Sequence, residues 1–592
     1  MHVARQVDVV PTAHGRQARW LLLAVTVCAI LTTGCRHGSV ARPQTTAYAS
    51  PPTVGAVPGA PTRSQVEALI AEADRLDRAG SDRAVDVYYQ AAVAAWNGVA
   101  VSPRTIGPAT SDPWLATYHR SVEGLVDTAT HYGRLDPRSG LSVVTVAGSQ
   151  AVPLIYRGFD WQPISFCALH PTGGDRSRKL THHFAAEGLG APLIAVRAKQ
   201  PNERFTLPQT PVAVTAVLRP MMDHATAADV GGGMVLEVYN STTVASLDLY
   251  GRRVSLAYDI SAPVVAIERA APDRYFEGFI APTEETVKPT LVMLDPYQPG
   301  KIPVVFIHGL FSDPLAWVDA LNELRADLGF NRQYQVWVFR YPTGGGLLES
   351  AVVLRDSLRL ARNEADPAHE DSALDSMVLV GHSLGGLLAQ LQVTYSEDRL
   401  WQAIADQPLE AVQATPEMRM RLARLFYFDP VPTVRRVVFV GTPFRGSSEA
   451  SRVVGRVSSQ LVRFGGEEAS EYRQLMEDNR DIFNPYLWRS RPTTVDMLEP
   501  DSPILRVMET LPTSAGVRTH TIIGTGAPRV LREPSDGVVS ASSAQKAGVL
   551  SERYVDATHS GLLRSSETVA ELARILGLHA VEARTVAVTA GR

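Results

Sequence analysis

Apolar residues recur along this chain with changing periods, and the changes divide it. From residue 63 the spacing is helical. Val66, Leu69, Ile70, Ala73 and Leu76 share one face, Gly80 interrupts, and Ala84, Val85, Tyr88, Ala92 and Trp96 resume. Ser64 and Glu67 fit a capping box at the start. This predicts a helical hairpin, with a third helical stretch from about Trp114 to Tyr132. From about Leu141 the pattern shortens. "LSVVTV", "VAVTAVL", "MVLEVYN" and "RRVSLAY" are β-branched runs separated by Gly, Pro and Asn, and read as strands. "LDLYGRRVSLAY" reads as a hairpin turning at Gly251. From Leu291 the runs become almost wholly apolar: "IPVVFIHG", "YQVWVFRYP", "SMVLVGHSLGG", "VRRVVFVGTPFRGS" and "THTIIGTG". Such runs fit strands buried on both faces, and the helical segments between them predict a parallel α/β sheet.

The expected organisation is a helical segment over 63–140, a β-rich domain over 141–290 and an α/β domain over 291–580. Two helical insertions, at about 401–432 and 444–512, are expected to cap a site on the last domain. Residues 36–62 are rich in Pro, Ala, Ser, Thr and Gly and show no period, which reads as a flexible tether.

The first 34 residues read as a signal peptide. Arg16 and Arg19 precede "WLLLAVTVCAIL", an apolar core too short to span a membrane comfortably. "LTTGC", ending at Cys35, resembles a bacterial lipobox, in which a cysteine is acylated after cleavage; Thr32 departs from its usual aliphatic residue. The resemblance implies a lipid anchor on Cys35 and a place in the bacterial cell envelope. Of three cysteines, Cys28 would leave with the signal and Cys35 would carry lipid, so Cys167 would stand alone.

Composition narrows the function. Hydrophobic residues make up 45% of the chain, enough for sizeable cores in a 592-residue protein of three or four domains. A net charge of −4 supplies no basic field for nucleic acid, and no basic run interleaves with aromatics. No His, Cys or Glu cluster has zinc spacing. Gly344–Gly346 follows a strand without the Lys-Ser/Thr of a P-loop, and Gly231–Gly233 reads as an isolated turn. No cofactor is implied.

The chemistry sits in Gly381-His382-Ser383-Leu384-Gly385. A serine between glycines, after a buried strand and before a helix, is presented on a strained turn where strand and helix cross closely. Its oxygen needs a base, and the base needs an orienter. Downstream histidines are His520, His559 and His579. His520 lies inside a strand and His579 at the end of a terminal helix. His559, in "RYVDATHSGLLRS", follows the last expected strand, precedes a helix and is the favoured base. Asp536, in the loop "EPSDGVVSASSA", is favoured as the acid over Asp501 and over Asp556, which falls on the strand only three residues before His559. The Leu384 amide is one oxyanion donor expected. The loop after the strand in "VVFIHGLFSDP" resembles the HG-type oxyanion loop of lipases, which implies the Leu310 amide as the second donor, with Phe311 the next choice. His308 reads as an orienting residue of that loop.

"FIHGLFSDP", "VGHSLGG", "FVGTPFRGS" and "SDGVVSASSA…ATHSGLL", in this order, resemble the lipase/esterase branch of the α/β-hydrolase superfamily over about residues 304–576. Phe444 stands where related segments often carry His. The resemblance implies an α/β-hydrolase fold with helical cap insertions, and a Ser383–Asp536–His559 triad cleaving carboxylic esters, with acyl or lipid esters as the expected class. Acyl transfer, or cleavage of a thioester or amide, would use the same groups. The unmatched front half keeps open an envelope scaffold role, in which residues 63–290 bind a protein partner.

Overall fold

The structure is a computed structural model that describes residues 61–101, 113–161, 165–173, 180–222, 229–249, 252–270, 288–447, 466–487, 494–527 and 533–590. The signal segment, Cys35 and most of the tether lie outside the described residues.

Three helices open the described chain: α1 (Arg63–Arg78), α2 (Arg83–Val101) and α3 (Pro113–His131). The capping box at the start of α1 is Thr62 with Gln65, not Ser64 with Glu67. The Gln65 amide donates to Thr62 Oγ1, and the Thr62 amide donates to Gln65 Oε1 at 2.8 Å. Both pairs satisfy the same four-residue pattern. Thr62 is the one whose backbone is still extended, so Ser64 is already inside the helix.

The helices pack on a five-stranded sheet made of β1 (Leu154–Arg157), β2 (Phe166–Pro171), β3 (Ala191–Ala198), β4 (Gln209–Met222) and β5 (Asp229–Asn240), in the order β1-β5-β4-β3-β2. One apolar core runs through both layers, from Val66, Val85 and Trp96 to Leu193, Val214 and Leu236. The Tyr118 hydroxyl of α3 donates to the Leu218 carbonyl of β4 at 2.6 Å. Gly231–Gly233 is not a turn. It extends β5 alongside the long β4, where the pairing register slips between Pro220 and Met222. Strands Ser246–Leu249 and Arg252–Ser255 form the hairpin around Gly251, which itself lies outside the described residues. A helix, α4 (Ser261–Ala270), then closes this otherwise strand-rich stretch.

The second sheet has seven strands: β6 (Thr290–Met293), β7 (Ile302–Ile307), β8 (Tyr334–Arg340), β9 (Met377–His382), β10 (Val434–Val440), β11 (Arg518–Gly524) and β12 (Ser551–Val555). Their order is β6-β8-β7-β9-β10-β11-β12, and all pairs are parallel except β6 with β8. β7 and β9 are buried at every position, because an apolar core lies on each face. On one face α6 (Leu347–Ala365) and α7 (Leu384–Gln390) contribute Leu354, Leu358 and Leu387. On the other, α5 (Val318–Ala326) and α11 (Ser566–Ala590) contribute Leu321, Leu572 and Ile575. Because α11 runs on to Ala590, His579 sits in its middle rather than at its end.

The connections after α7 and after β10 carry α8 (Pro416–Phe426), and α9 (Gly466–Asp478) with α10 (Pro503–Thr510). They pack on one another. Trp401 meets Phe426 and Phe483 edge-on, and Asn484 N–H donates to the Ile404 carbonyl at 2.8 Å. The two sheets are also joined. Met293 N–H of β6 donates to the Phe205 carbonyl at 2.7 Å, so the front domain covers an edge strand that would otherwise offer free backbone groups.

Candidate active site

Ser383 directly follows β9 with φ 53° and ψ −122°, a backbone conformation that costs a non-glycine residue about 1–3 kcal/mol. The surrounding chain holds it there. The Ser383 amide donates to the Val440 carbonyl at 2.8 Å. The flanking glycines are required by space. A Cβ on Gly381 would lie 2.4 Å from the Gly385 carbonyl oxygen, and one on Gly385 would lie 2.4 Å from the Ile307 carbonyl oxygen. Strand, turn and helix therefore close on each other only as the G-x-S-x-G pattern allows.

Two neighbouring strand ends bring in His559 and Asp536. His559 Nδ1 lies 2.7 Å from Asp536 Oδ2. The other carboxylate oxygen accepts the amides of Val538 at 2.9 Å and Val539 at 2.7 Å. The His559 amide donates to the Asp536 carbonyl at 2.9 Å. Asp536 is fully buried, so three donors on its side chain are what make a carboxylate tolerable there. Gly441 and Gly524, at the ends of β10 and β11, leave room for the pair. A Cβ on Gly524 would lie 2.7 Å from Asp536 Cβ, and one on Gly441 would lie 3.4 Å from both Asp536 Oδ2 and His559 Cε1. Neither glycine was singled out in the sequence, although each directly ends an apolar strand.

The loop after β7 lies on the serine. A Cβ on Gly309 would fall 3.0 Å from Ser383 Cβ, and Phe311 takes a positive φ of 51° two residues on. His308 anchors this loop from below. Its Nδ1 is 3.0 Å from the Gly309 carbonyl, its Nε2 accepts the Tyr341 amide at 3.3 Å, and its ring stacks on Tyr341 with centroids 4.4 Å apart. Burial pushes its pKa down to about 4, so the ring is neutral and Nδ1 carries the proton. Leu310 follows Gly309 directly, and Leu384 opens α7, where the first amides have no intrahelical acceptor.

The other candidates lie elsewhere. Asp556 is one residue past the end of β12 and exposed, not on the strand. Asp501 is in an exposed turn before α10. His520 and His579 both contact the buried Arg436, at 2.5 and 3.2 Å. A residue the sequence offered only as the variable position of its motif, His382, is in contact with His559, with ring centroids 4.7 Å apart.

Between the two insertions and the first turn of α6 lies a cavity of about 110 Å³. Leu348, Ile404, Met418, Leu425, Phe483 and Met497 line it, with Arg421, Glu349 and Glu471 as its charged neighbours. Neither Ser383 nor His559 lines it. Its walls belong to the same apolar cluster as Leu384 of the turn, against which Leu310 packs.

Residues 304–572 match the model of the alpha/beta hydrolase family. No curated protein sequence matches the chain. Among solved structures, the mature lipase BlEst2 of Bacillus licheniformis is 16% identical, with a TM-score of 0.30, over 48% of this chain and 97% of that one. The esterase Est2 of Thermogutta terrifontis is 14% identical, with a TM-score of 0.26, over 50% and 91%. The Vlm2 thioesterase domain is 17% identical, with a TM-score of 0.22, over 49% and 98%. With its parallel sheet, strained serine turn and matched sequence model, the segment 304–572 belongs to the alpha/beta hydrolase family.

Proposed function

We propose that this protein is a serine hydrolase that cleaves carboxylic esters, with acyl or lipid esters as its substrate class. One observation carries the reading: the 2.7 Å contact of His559 Nδ1 with Asp536 Oδ2, at the strand ends where Ser383 is held at positive φ. Asp536 keeps the proton on Nδ1, which leaves the Nε2 lone pair to take the proton of Ser383. Ser383 Oγ attacks the ester carbonyl, and His559 returns the proton to the departing alkoxide. Water then attacks the acyl-serine with His559 again as base. The amides of Leu310 and Leu384 hold the oxyanion, a donor worth about 3 kcal/mol each in related chemistry. The apolar cavity between the insertions suits an acyl chain. On this reading Cys35 carries the lipid that holds the enzyme in the bacterial envelope.

The test is a fluorophosphonate probe and p-nitrophenyl esters of increasing acyl length, given to the full chain in detergent and to Ser383→Ala. Serine-dependent labelling and turnover are expected. Turnover rising with acyl length would mark a lipase, and turnover confined to short acyl groups an esterase. A folded protein neither labelled nor active would overturn the reading.

A further inference from the structure

We propose that His382 is a positioning residue for His559, holding the base in place by donating its Nε2–H to the backbone carbonyl of His559. The proposal rests on the roles given above to Ser383 and His559.

The geometry is unusual for a residue that only fills space. His382 is 5% exposed. Its Nε2 lies 3.0 Å from the His559 carbonyl oxygen, 177 residues away in the chain. A carbonyl only accepts, so Nε2 carries the proton and Nδ1 is a bare lone pair. That Nδ1 is buried and has no hydrogen-bond partner among the described residues. Leaving a buried acceptor unsatisfied costs about 1–3 kcal/mol. An apolar side chain would have avoided the cost. The chain keeps an imidazole here, and among the described residues its directed contact is with the base.

The base needs that contact. His559 lies on a loop whose neighbours Thr558 and Ser560 are exposed, so side-chain packing alone holds it weakly. Its backbone is fastened on two sides instead. The amide goes to the Asp536 carbonyl at 2.9 Å, and the carbonyl takes the His382 proton. His382 is itself fixed by everything around it. It is bonded to Ser383. Its Nδ1 lies 3.0 Å from where a Gly309 Cβ would stand, and Trp317 meets its ring edge-on at 6.3 Å. The same ring thus touches the serine turn, the loop after β7 and the base loop, and sets their spacing. Burial, and then the adjacent His559, keep His382 neutral, so it opposes no positive charge that forms on His559 during turnover.

The experiment compares wild type, Ser383→Ala, His382→Phe and His382→Gln in the full chain. Phe keeps a flat ring and removes the donor; Gln keeps a donor. The readouts are kcat and KM on one p-nitrophenyl ester, and Tm. A base displaced by a fraction of an ångström is expected to cost roughly ten- to a hundredfold in kcat. His382→Phe should therefore lose kcat by that factor, with KM within about twofold and Tm changed little, because losing the orphan Nδ1 offsets leaving the His559 carbonyl without its donor. His382→Gln should recover most of the loss. If His382→Phe does not fold, His382→Met carries the same comparison. Wild-type kcat in the donorless variant overturns the proposal. So does an equal loss in both variants that follows Tm. A wild type that is no more active than Ser383→Ala would instead defeat the functional reading on which the proposal rests.

Discussion

Thr181 of the front domain donates both its amide, at 2.8 Å, and its hydroxyl to the buried carboxylate of Asp319, on the first turn of α5. α5 begins seven residues after the Phe311 turn beside Ser383. Arg564, five residues past His559, approaches the same carboxylate at 3.8 Å. Close by, Asn322 Nδ2 donates to the His182 carbonyl and Ser261 Oγ donates to Asn322 Oδ1, each at 2.8 Å. The front domain is fastened to the helix that follows the loop beside Ser383.

This joint should be measurable. Asp319→Ala removes the carboxylate that accepts both Thr181 donors, and hydrogen bonds to a charged group are worth about 1.5–3 kcal/mol each. We expect lower Tm and lower kcat together, with Thr181→Val milder on both. A double-mutant cycle should give a coupling of about 0.5–3 kcal/mol. Additive effects would mean that the contact does not join the two parts energetically.

Asp536→Asn tests the acid without removing its support. Asn keeps an oxygen for the Val538 and Val539 amides, which now satisfy Asp536 Oδ1. Its NH₂ then faces His559 Nδ1 and forces the proton onto Nε2, where the base must be free. Turnover should fall by about 10⁴ with Tm nearly unchanged, as found where this tautomer is reversed in serine hydrolases of another fold. Activity near wild type would point to another carboxylate as the orienter.

These residues were legible because their signals are local. An apolar run ending in Gly-His-Ser-Leu-Gly specifies strand, turn and helix by itself, and the resemblance to the lipase/esterase branch leads on to Asp536 and His559. What was hidden lies in contacts across the chain. Nothing local separates Thr62–Gln65 from Ser64–Glu67 as a capping box, since the patterns overlap. His382 read as a filler of its motif because its partner is 177 positions away. The Gly231–Gly233 run read as a turn because the length of the neighbouring strand β4 was not visible from within it. The joint at Asp319 had no signal at all, because an aspartate in a helical first turn is ordinarily a solvated one.

Glycine substitutions separate spatial need from conformational need. Gly385→Ala drives a Cβ to 2.4 and 2.5 Å from the Ile307 and His308 carbonyl oxygens, which belong to backbone and cannot swing away. The cost should exceed about 3 kcal/mol and prevent assembly of the serine turn. Gly548, unlike Gly385, has a positive φ, of 77°, and nothing lies within 4 Å of its Cβ position. Gly548→Ala should cost only about 1–2 kcal/mol. Urea denaturation of the two variants should show this contrast, and equal costs would mean that the turn relaxes around the added methyl.

Acid should weaken the opposite end of the sheet. Arg436 of β10 is buried between two imidazoles. Its Nε donates to His579 Nδ1 at 3.2 Å, and its NH1 lies 2.5 Å from His520 Nε2. Each ring uses its second nitrogen elsewhere: His579 Nε2 donates to the Ser376 carbonyl at 2.7 Å, and His520 Nδ1 lies 2.7 Å from Ser551 Oγ. Both rings must therefore be neutral. Glu582 pairs with Arg436 at 2.5 Å, while Glu571, Arg574, Arg518 and Tyr334 complete the charged and titratable surroundings. Burial first, and Arg436 among the nearby charges, push both histidines down to about 4. The unfolded chain takes up these protons near pH 6.5, and the folded chain resists them. The contribution is thus complete above about pH 6.5, falls as pH drops from there toward 4, and is level below, for a total on the order of a few kcal/mol. His308 and His382 add to the same trend, so the measurement must be differential. Urea midpoints should fall more between pH 7.5 and pH 5 for wild type than for a His520→Asn/His579→Gln variant. A variant as pH-sensitive as wild type over that interval would show that the Arg436 cluster does not set acid stability.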